Sequence, residues 1–261
     1  MNEKWEDYKG HVKLVALAQE HADKVVVSAF VNPLQFGPNE DFNQYPRTLE
    51  HDTQALTKVE ADAMFHPNAF EMYPMGHERS SIVDVPELSG ILCGAYRPGH
   101  FIGVATVLAK FFNIVQPEAA VFGEKDYQQL MIIRRMVSDL CIPVEIIGAP
   151  TVRDHDGLAL SSRNRYLNRG ERDIAPRLYE TLKAAQKRIQ GGDTNFEAIQ
   201  KQALHTLELA GFKPDYFAIR QVDLQPVRDS SKELVILAAV HLGKTRLIDN
   251  VKVNLPTAPK K

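Results

Sequence analysis

Val25-Val26-Val27-Ser28-Ala29-Phe30-Val31, followed at once by Asn32-Pro33-Leu34-Gln35-Phe36, is the stretch that decides the fold. The first part is β-branched and nearly all apolar, the pattern of a parallel strand covered on both faces. Asn32-Pro33 stops it, because proline removes a ladder donor. Upstream, the dense apolar positions Val12 to Ala18 predict a helix from His11 to about Ala22, packed on a sheet. Downstream come a loop from Leu34 to Tyr45, a helix from Pro46 to Val59 and a short strand from Ala61 to Phe65, stopped by His66-Pro67.

The same alternation resumes after a Gly/Pro-rich passage. A helix is expected from about Phe101 to Val115 and a strand from Ala119 to Phe122. A helix with Asp126 as its N-cap then runs to about Leu140, and a strand follows from Pro143 to Ile147. Strands and helices in turn, with short connections, predict an α/β fold with an open, mostly parallel sheet. Beyond Gly148-Ala149-Pro150 the order changes to long helices (Glu171 to Gln190, Phe196 to Leu209) and then strand-like runs (Asp215 to Val222, Glu233 to His241, Thr245 to Val251). Helices followed by strands suggest a smaller α+β domain. The expected division is 1–149 and 150–261.

The 261 residues carry 31 Lys+Arg and 33 Asp+Glu, a formal net charge of −2 with both signs interspersed. Such a field gives no reason to expect a nucleic-acid partner and favours a small-molecule ligand. Cys93 and Cys141 lack the spacing of a zinc site or a disulfide framework, and a reducing cytoplasm fits best. The longest apolar runs, such as Leu234 to Val240, fall far short of the roughly 20 residues that span a bilayer, so no membrane partner is expected.

Four places hold chemistry. Gly10-His11 sits at a helix start, where unpaired N–H groups and the helix dipole favour phosphate, although so short a motif also fits an ordinary helix start. Asn32 and Gln35 leave the C-terminal end of a strand, the edge at which open α/β sheets bind ligands; the bland alternative is a proline-bounded loop whose amides satisfy local backbone. Phe122-Gly123-Glu124-Lys125-Asp126 puts a lysine beside a helix N-terminus, where it can balance phosphate charge, and Gln128 and Gln129 follow on the first turn. Asp156-Gly157-Leu158-Ala159-Leu160-Ser161-Ser162-Arg163-Asn164 lies at the domain junction, with hydroxyls and a guanidinium suited to an anion clamp. A free linker would have little need of Leu158 and Leu160. No P-loop and no G-x-G-x-x-G after a strand is present. Apart from His11, only His100 in Arg97-Pro98-Gly99-His100-Phe101 stands out among the histidines.

Taken together with Tyr45-Pro46-Arg47-Thr48, these runs resemble the pantothenate synthetase (pantoate–β-alanine ligase) family of the nucleotidyltransferase superfamily, from His11 to the C-terminus. The resemblance implies a Rossmann-like first domain, a C-terminal domain that closes over the active site, and a homodimer. It also implies ATP and Mg²⁺, and condensation of pantoate with β-alanine through pantoyl adenylate. Carried over by position, Gly10 and His11 contact ATP phosphate, with His11 a proton donor. Gln35 and Gln129 hold pantoate, Gln35 also meets β-alanine, and Asn32 belongs with them. Gly123, Glu124, Lys125 and Asp126 form the ATP segment, with Lys125 on phosphate and Asp126 near ribose. Val152 makes a backbone contact to the nucleotide; Leu160 to Arg163 match the synthetases' second signature at the ATP site, where Ser161, Ser162 and Arg163 clamp the phosphates.

The front departs from the family. Tyr8 stands where the first signature histidine belongs, Lys4 where a methionine belongs, and no strand-like run covers Met1 to His11. A missing central strand would leave its neighbours' backbone groups unpaired, at roughly 1–3 kcal/mol each. The expectation is therefore a chain impaired in adenylation, or a truncated reading of a longer gene. The alternatives are a related adenylyltransferase acting on another acid, and a non-catalytic scaffold or binding partner.

Overall fold

The computed structural model describes residues 9–38, 40, 42, 49–228 and 230–255; the side chains of Lys9 and His11 lie outside what it describes. The readings at Lys4, Tyr8 and Tyr45 to Thr48 therefore fall outside the described residues. The chain forms two compact units, Met1–Glu124 with Gln128–Pro150, and Lys125–Tyr127 with Thr151–Lys261.

In the first unit α1 (Lys9–Gln19) precedes β1 (Val26–Ser28), α2 (Leu49–Lys58) and β2 (Ala63–Phe65). The short helices α3 (Ala69–Met72) and α4 (Cys93–Tyr96) lead to α5 (His100–Val115), β3 (Ala119–Gly123), α6 (Tyr127–Asp139) and β4 (Glu145–Ala149). Each strand pair is parallel, as a strand–helix–strand crossover requires. Val26 lies opposite Ala63 in one pair, and Ala119 opposite Glu145 in the other.

The expected open sheet thus appears, among the described residues, as two separate two-stranded parallel sheets, β1-β2 and β3-β4. This corrects the reading of Val25 to Val31 as a strand covered on both faces. Val25 is buried, but Val26 is 45% exposed and β1 spans only three residues. A strand with one described partner has fewer ladder bonds to extend it and less neighbouring surface to cover it. Side chains from α3, α5 and the ends of β1 and β2 close a small core of Met72, Tyr73, Val107 and Phe111. There Phe65 meets Phe111 edge-on at 5.4 Å, a favoured aromatic geometry. The expected N-cap, Asp126, instead ends a 3-10 turn, Glu124–Asp126, that runs directly into α6.

The second unit contains α7 (Arg169–Ile174), α8 (Arg177–Gln190), α9 (Phe196–Leu209), β5 (Lys213–Gln221), β6 (Glu233–Leu242) and β7 (Thr245–Asn254). The single helix expected over Glu171 to Gln190 is divided at Ala175-Pro176, because proline has no N–H for the helical ladder and crowds the preceding turn. On α8 Leu178, Leu182, Ala185 and Ile189 form one buried stripe, and on α9 Ile199, Ala203 and Leu207 form another. The i, i+4 spacing aims both stripes at the antiparallel sheet β5-β6-β7. Burying each such leucine or isoleucine contributes about 1.5–3 kcal/mol. The central strand β6 is buried without a break from Leu234 to Val240.

Candidate active site

In the first unit the Asn32–Gln35 turn is a 3-10 helix, Pro33–Gln35, capped by Asn32. It rests on α5 at Gly103. A Cβ there would lie 2.4 Å from the Leu34 carbonyl and 2.6 Å from the Gln35 nitrogen. Only glycine permits so close an approach.

Asn32 is 1% exposed. Its Nδ2 donates to the Gly103 carbonyl at 3.0 Å and to Gln35 Oε1 at 3.3 Å. Its Oδ1 accepts from the Tyr73 hydroxyl at 2.7 Å and from Leu34 N–H at 3.4 Å. An amide offers two donors and two acceptor sites, and all four are used inside the protein. Asn32 therefore orients Gln35 in this structure.

His100 is 9% exposed and hydrogen-bonds the Gln35 carbonyl through Nδ1 at 2.8 Å. A carbonyl only accepts, so Nδ1 carries the proton; Nε2 then accepts from Arg97 at 3.0 Å. Arg97 is itself held by Glu40 through two hydrogen bonds. Gln129 is half-buried on the first turn of α6. Its neighbour Gln128 is spent structurally, accepting from Cys93 N–H and donating to the Leu88 and Ile91 carbonyls. Gly10 and His11 lie in the first turn of α1, and α1 packs on β3.

In the second unit residues 152–160 form a hairpin. Leu160 N–H donates to the Val152 carbonyl at 2.9 Å and Asp154 N–H to the Leu158 carbonyl at 2.8 Å. Gly157 turns it at φ +92°, a conformation that favours glycine. Leu158 and Ala159 are buried, so this is an anchored element. Val152 spends its carbonyl on Leu160.

The hairpin is fastened to β7. Arg153 makes two bonds to Asp249, at 2.6 and 2.8 Å, and its guanidinium lies 3.7 Å from the Tyr179 ring centre. Next to it, Asn250 Nδ2 donates to the Lys125 carbonyl at 3.0 Å. Two adjacent residues of one strand thus hold both the clamp hairpin and the lysine turn. In consequence Lys125, Ser161, Asn164 and Asp249 line one pocket. Lys125 Nζ is 3.8 Å from Asp126 Oδ2, too long for a strong pair.

Ser161 caps the 3-10 turn Ser162–Tyr166 by accepting from Arg163 N–H, and Asn164 Nδ2 closes the loop onto the Ala159 carbonyl. Among the described residues Asn164 Oδ1 is buried without a hydrogen-bond partner. The structure thus brings Lys125 together with Ser161, and Asn32 with Gln35. Tyr73, Gly103, Arg153 and Asp249 were not singled out by sequence reasoning. A glycine inside the apolar helix pattern at Gly103, and two polar residues interrupting a strand at Asp249-Asn250, are the signals that point to them.

The turn of the hairpin carries a pH-sensitive cluster. Arg172 bonds Asp154 at 2.6 Å and also pairs with Asp156. The Asp154 carboxyl is lowered to about 2, first by hydrogen bonds from the His155 side chain and backbone, then by Arg172. A lowered carboxyl adds stability that is present above its ordinary value, 3.8, and is lost as pH falls through its folded value. His155 is protonated throughout that acid window and adds no slope. The denaturant midpoint of the native chain is therefore expected to drop more steeply between about pH 4 and pH 2 than that of Asp154→Asn. Parallel slopes would show that the cluster does not contribute.

Among the described residues no group of three or more His, Cys, Asp or Glu side chains gathers as a metal site, and no helix is long and apolar enough to cross a membrane. The family model for pantoate–β-alanine ligase matches residues 8–252. This chain belongs to the pantoate–β-alanine ligase family. It is 55% identical to a pantothenate synthetase of Stutzerimonas stutzeri, over 96% of this chain and 88% of that one. Identity to the Azotobacter vinelandii pantothenate synthetase is 52%, over 95% and 88%. A crystal structure of pantothenate synthetase from Thermus thermophilus superposes with a TM-score of 0.88 at 46% identity, covering 93% of this chain and 88% of that one. A pantoate–β-alanine ligase from Francisella tularensis, complexed with β-γ ATP and β-alanine, gives a TM-score of 0.75 at 35% identity, over 97% and 87%. The first unit of this pantoate–β-alanine ligase family member is accordingly of nucleotidyltransferase type.

Proposed function

We propose that this chain condenses pantoate with β-alanine to pantothenate, driven by ATP, as a cytoplasmic homodimer. The pantoate carboxylate attacks the α-phosphorus of ATP; the α–β phosphoanhydride breaks and diphosphate leaves. The β-alanine amine then attacks the acyl carbon of pantoyl adenylate, losing a proton as AMP departs. Mg²⁺ enters as part of the nucleotide substrate, where it offsets triphosphate charge.

The residues carry roles that follow from charge. Negative charge builds on phosphate oxygens in the first step, so Lys125, Ser161, Ser162 and Arg163 act by fixed electrostatic contact, together with Gly10 and His11. His11 also supplies a proton. Gly123, Glu124, Asp126, Val152 and Leu160 shape the nucleotide site. Gln35 and Gln129 hold pantoate, and Asn32 serves through Gln35.

The observation that carries this reading is the pocket in which Lys125, Ser161 and Asn164 meet around a strand that fixes both loops. It is tested by AMP release from the purified chain with ATP, pantoate and β-alanine, assayed beside the Stutzerimonas stutzeri relative. Release that requires all three substrates is expected. AMP formed with another acid but not with pantoate would reject the substrate, and no AMP with any acid would reject the ligase reading. The ratio of the two rates measures any impairment. Size-exclusion mass at micromolar concentration tests the homodimer.

A further inference from the structure

Gln35 can face a ligand with either end of its amide, and which end it presents decides what the ligand must be. The surrounding hydrogen bonds settle the choice. The Gly103 carbonyl is only an acceptor and the Leu34 N–H only a donor, so Asn32 must turn Nδ2 toward the first and Oδ1 toward the second. The remaining Nδ2 proton points at Gln35, which answers with Oε1. Gln35 Nε2 is thereby left as the outward end, with no partner among the described residues. Of the bonds that hold Asn32 Oδ1, the one from Tyr73 is the shorter, 2.7 Å against 3.4 Å. Tyr73 is 3% exposed, and burial pushes its phenol up to about 12, so it remains a donor.

We infer that Tyr73, acting through Asn32, fixes Gln35 as a hydrogen-bond donor and so restricts this part of the acid site to a substrate oxygen that accepts. Tyr73 is a positioning residue with a specificity role. The inference rests on the proposed role of Gln35 in holding pantoate. It explains why a buried asparagine spends all its hydrogen bonds beneath that residue, and why a tyrosine 41 positions away supports it.

Steady-state kinetics on the purified full chain test it with Tyr73→Phe, Gln35→Met, Gln35→Glu and the Tyr73→Phe/Gln35→Met double variant. Tyr73→Phe is expected to raise KM for pantoate roughly five- to tenfold, the effect of one hydrogen bond, with KM for ATP within about twofold. In the Gln35→Met background the same change should leave KM for pantoate within about twofold, because the residue through which it acts is gone. Gln35→Glu, which turns a charged acceptor outward, should give a lower kcat/KM for pantoate than Gln35→Met. An equal effect of Tyr73→Phe in both backgrounds would overturn the relay, and Gln35→Glu matching or exceeding Gln35→Met would overturn the donor assignment. An unchanged KM in Gln35→Met alone would instead reject the role of Gln35 on which both depend.

Discussion

Lys125→Met is expected to lower ATP-dependent AMP release by about 10²–10³-fold while leaving the unfolding midpoint nearly unchanged. Two structural facts separate these effects. The Lys125 side chain is 19% exposed, and its nearest carboxylate, on Asp126, is 3.8 Å away, so little stability depends on that pair. Its backbone carbonyl, not its ammonium, is what Asn250 holds. Methionine keeps most of the stem volume and the turn, and removes only the charge that would meet phosphate. Single-turnover formation of the adenylate, followed by release of labelled diphosphate, reads the effect directly. A fall of less than about tenfold would remove Lys125 from the phosphate site, since one preorganised donor to a developing anion is worth more than that.

Asp249→Ala is expected to cost about 3–5 kcal/mol of stability, the largest single effect of a polar substitution in the second unit. The Asp249 side chain is 3% exposed and receives two charge-assisted bonds from Arg153, whose own side chain is 18% exposed and, among the described residues, otherwise donates only to the Gly157 and Asn250 carbonyls, at 3.1 and 3.4 Å. Removing the carboxylate strands a mostly buried cation and releases the hairpin that ends at Ser161. Activity should therefore fall together with stability, in contrast to Lys125→Met. Urea unfolding followed by circular dichroism measures the loss. A shift below about 1 kcal/mol would mean that Arg153 finds water or the Tyr179 ring an adequate substitute for its partner. Asp249→Asn, which retains acceptor oxygen without charge, should fall between alanine and the native chain.

Some elements are fully legible in the sequence because their causes are local. Helix α9 reads as Phe196 to Leu209 and is observed there, since its apolar spacing and its Asn195 cap lie within one segment. The reading of α5 misses only His100. The run Leu234 to Val240 announces a buried strand by composition alone. Legibility fails where neighbours decide: β1 reads as seven covered residues and is three, because the extent of a strand depends on what pairs with it and what covers it. The split of α7 from α8 stands in plain view at Pro176 and is masked by the amphipathic pattern on either side.

The candidate site divides in the same way. Gln35, Lys125 and the Ser161–Arg163 loop stand in short runs whose residue types suit phosphate and an acid, and the sequence alone named them and the family. It could not say that Asn32 works inward, since that follows from Tyr73 and Gly103, 41 and 71 residues away. Nor could it pair Arg153 with Asp249, 96 residues apart, or reveal that one strand end steadies both loops of the pocket. A periodic pattern records which face of an element is apolar. It holds no record of which distant donor will meet which acceptor, because only folding brings those groups within about 3 Å and removes the water that would otherwise satisfy them.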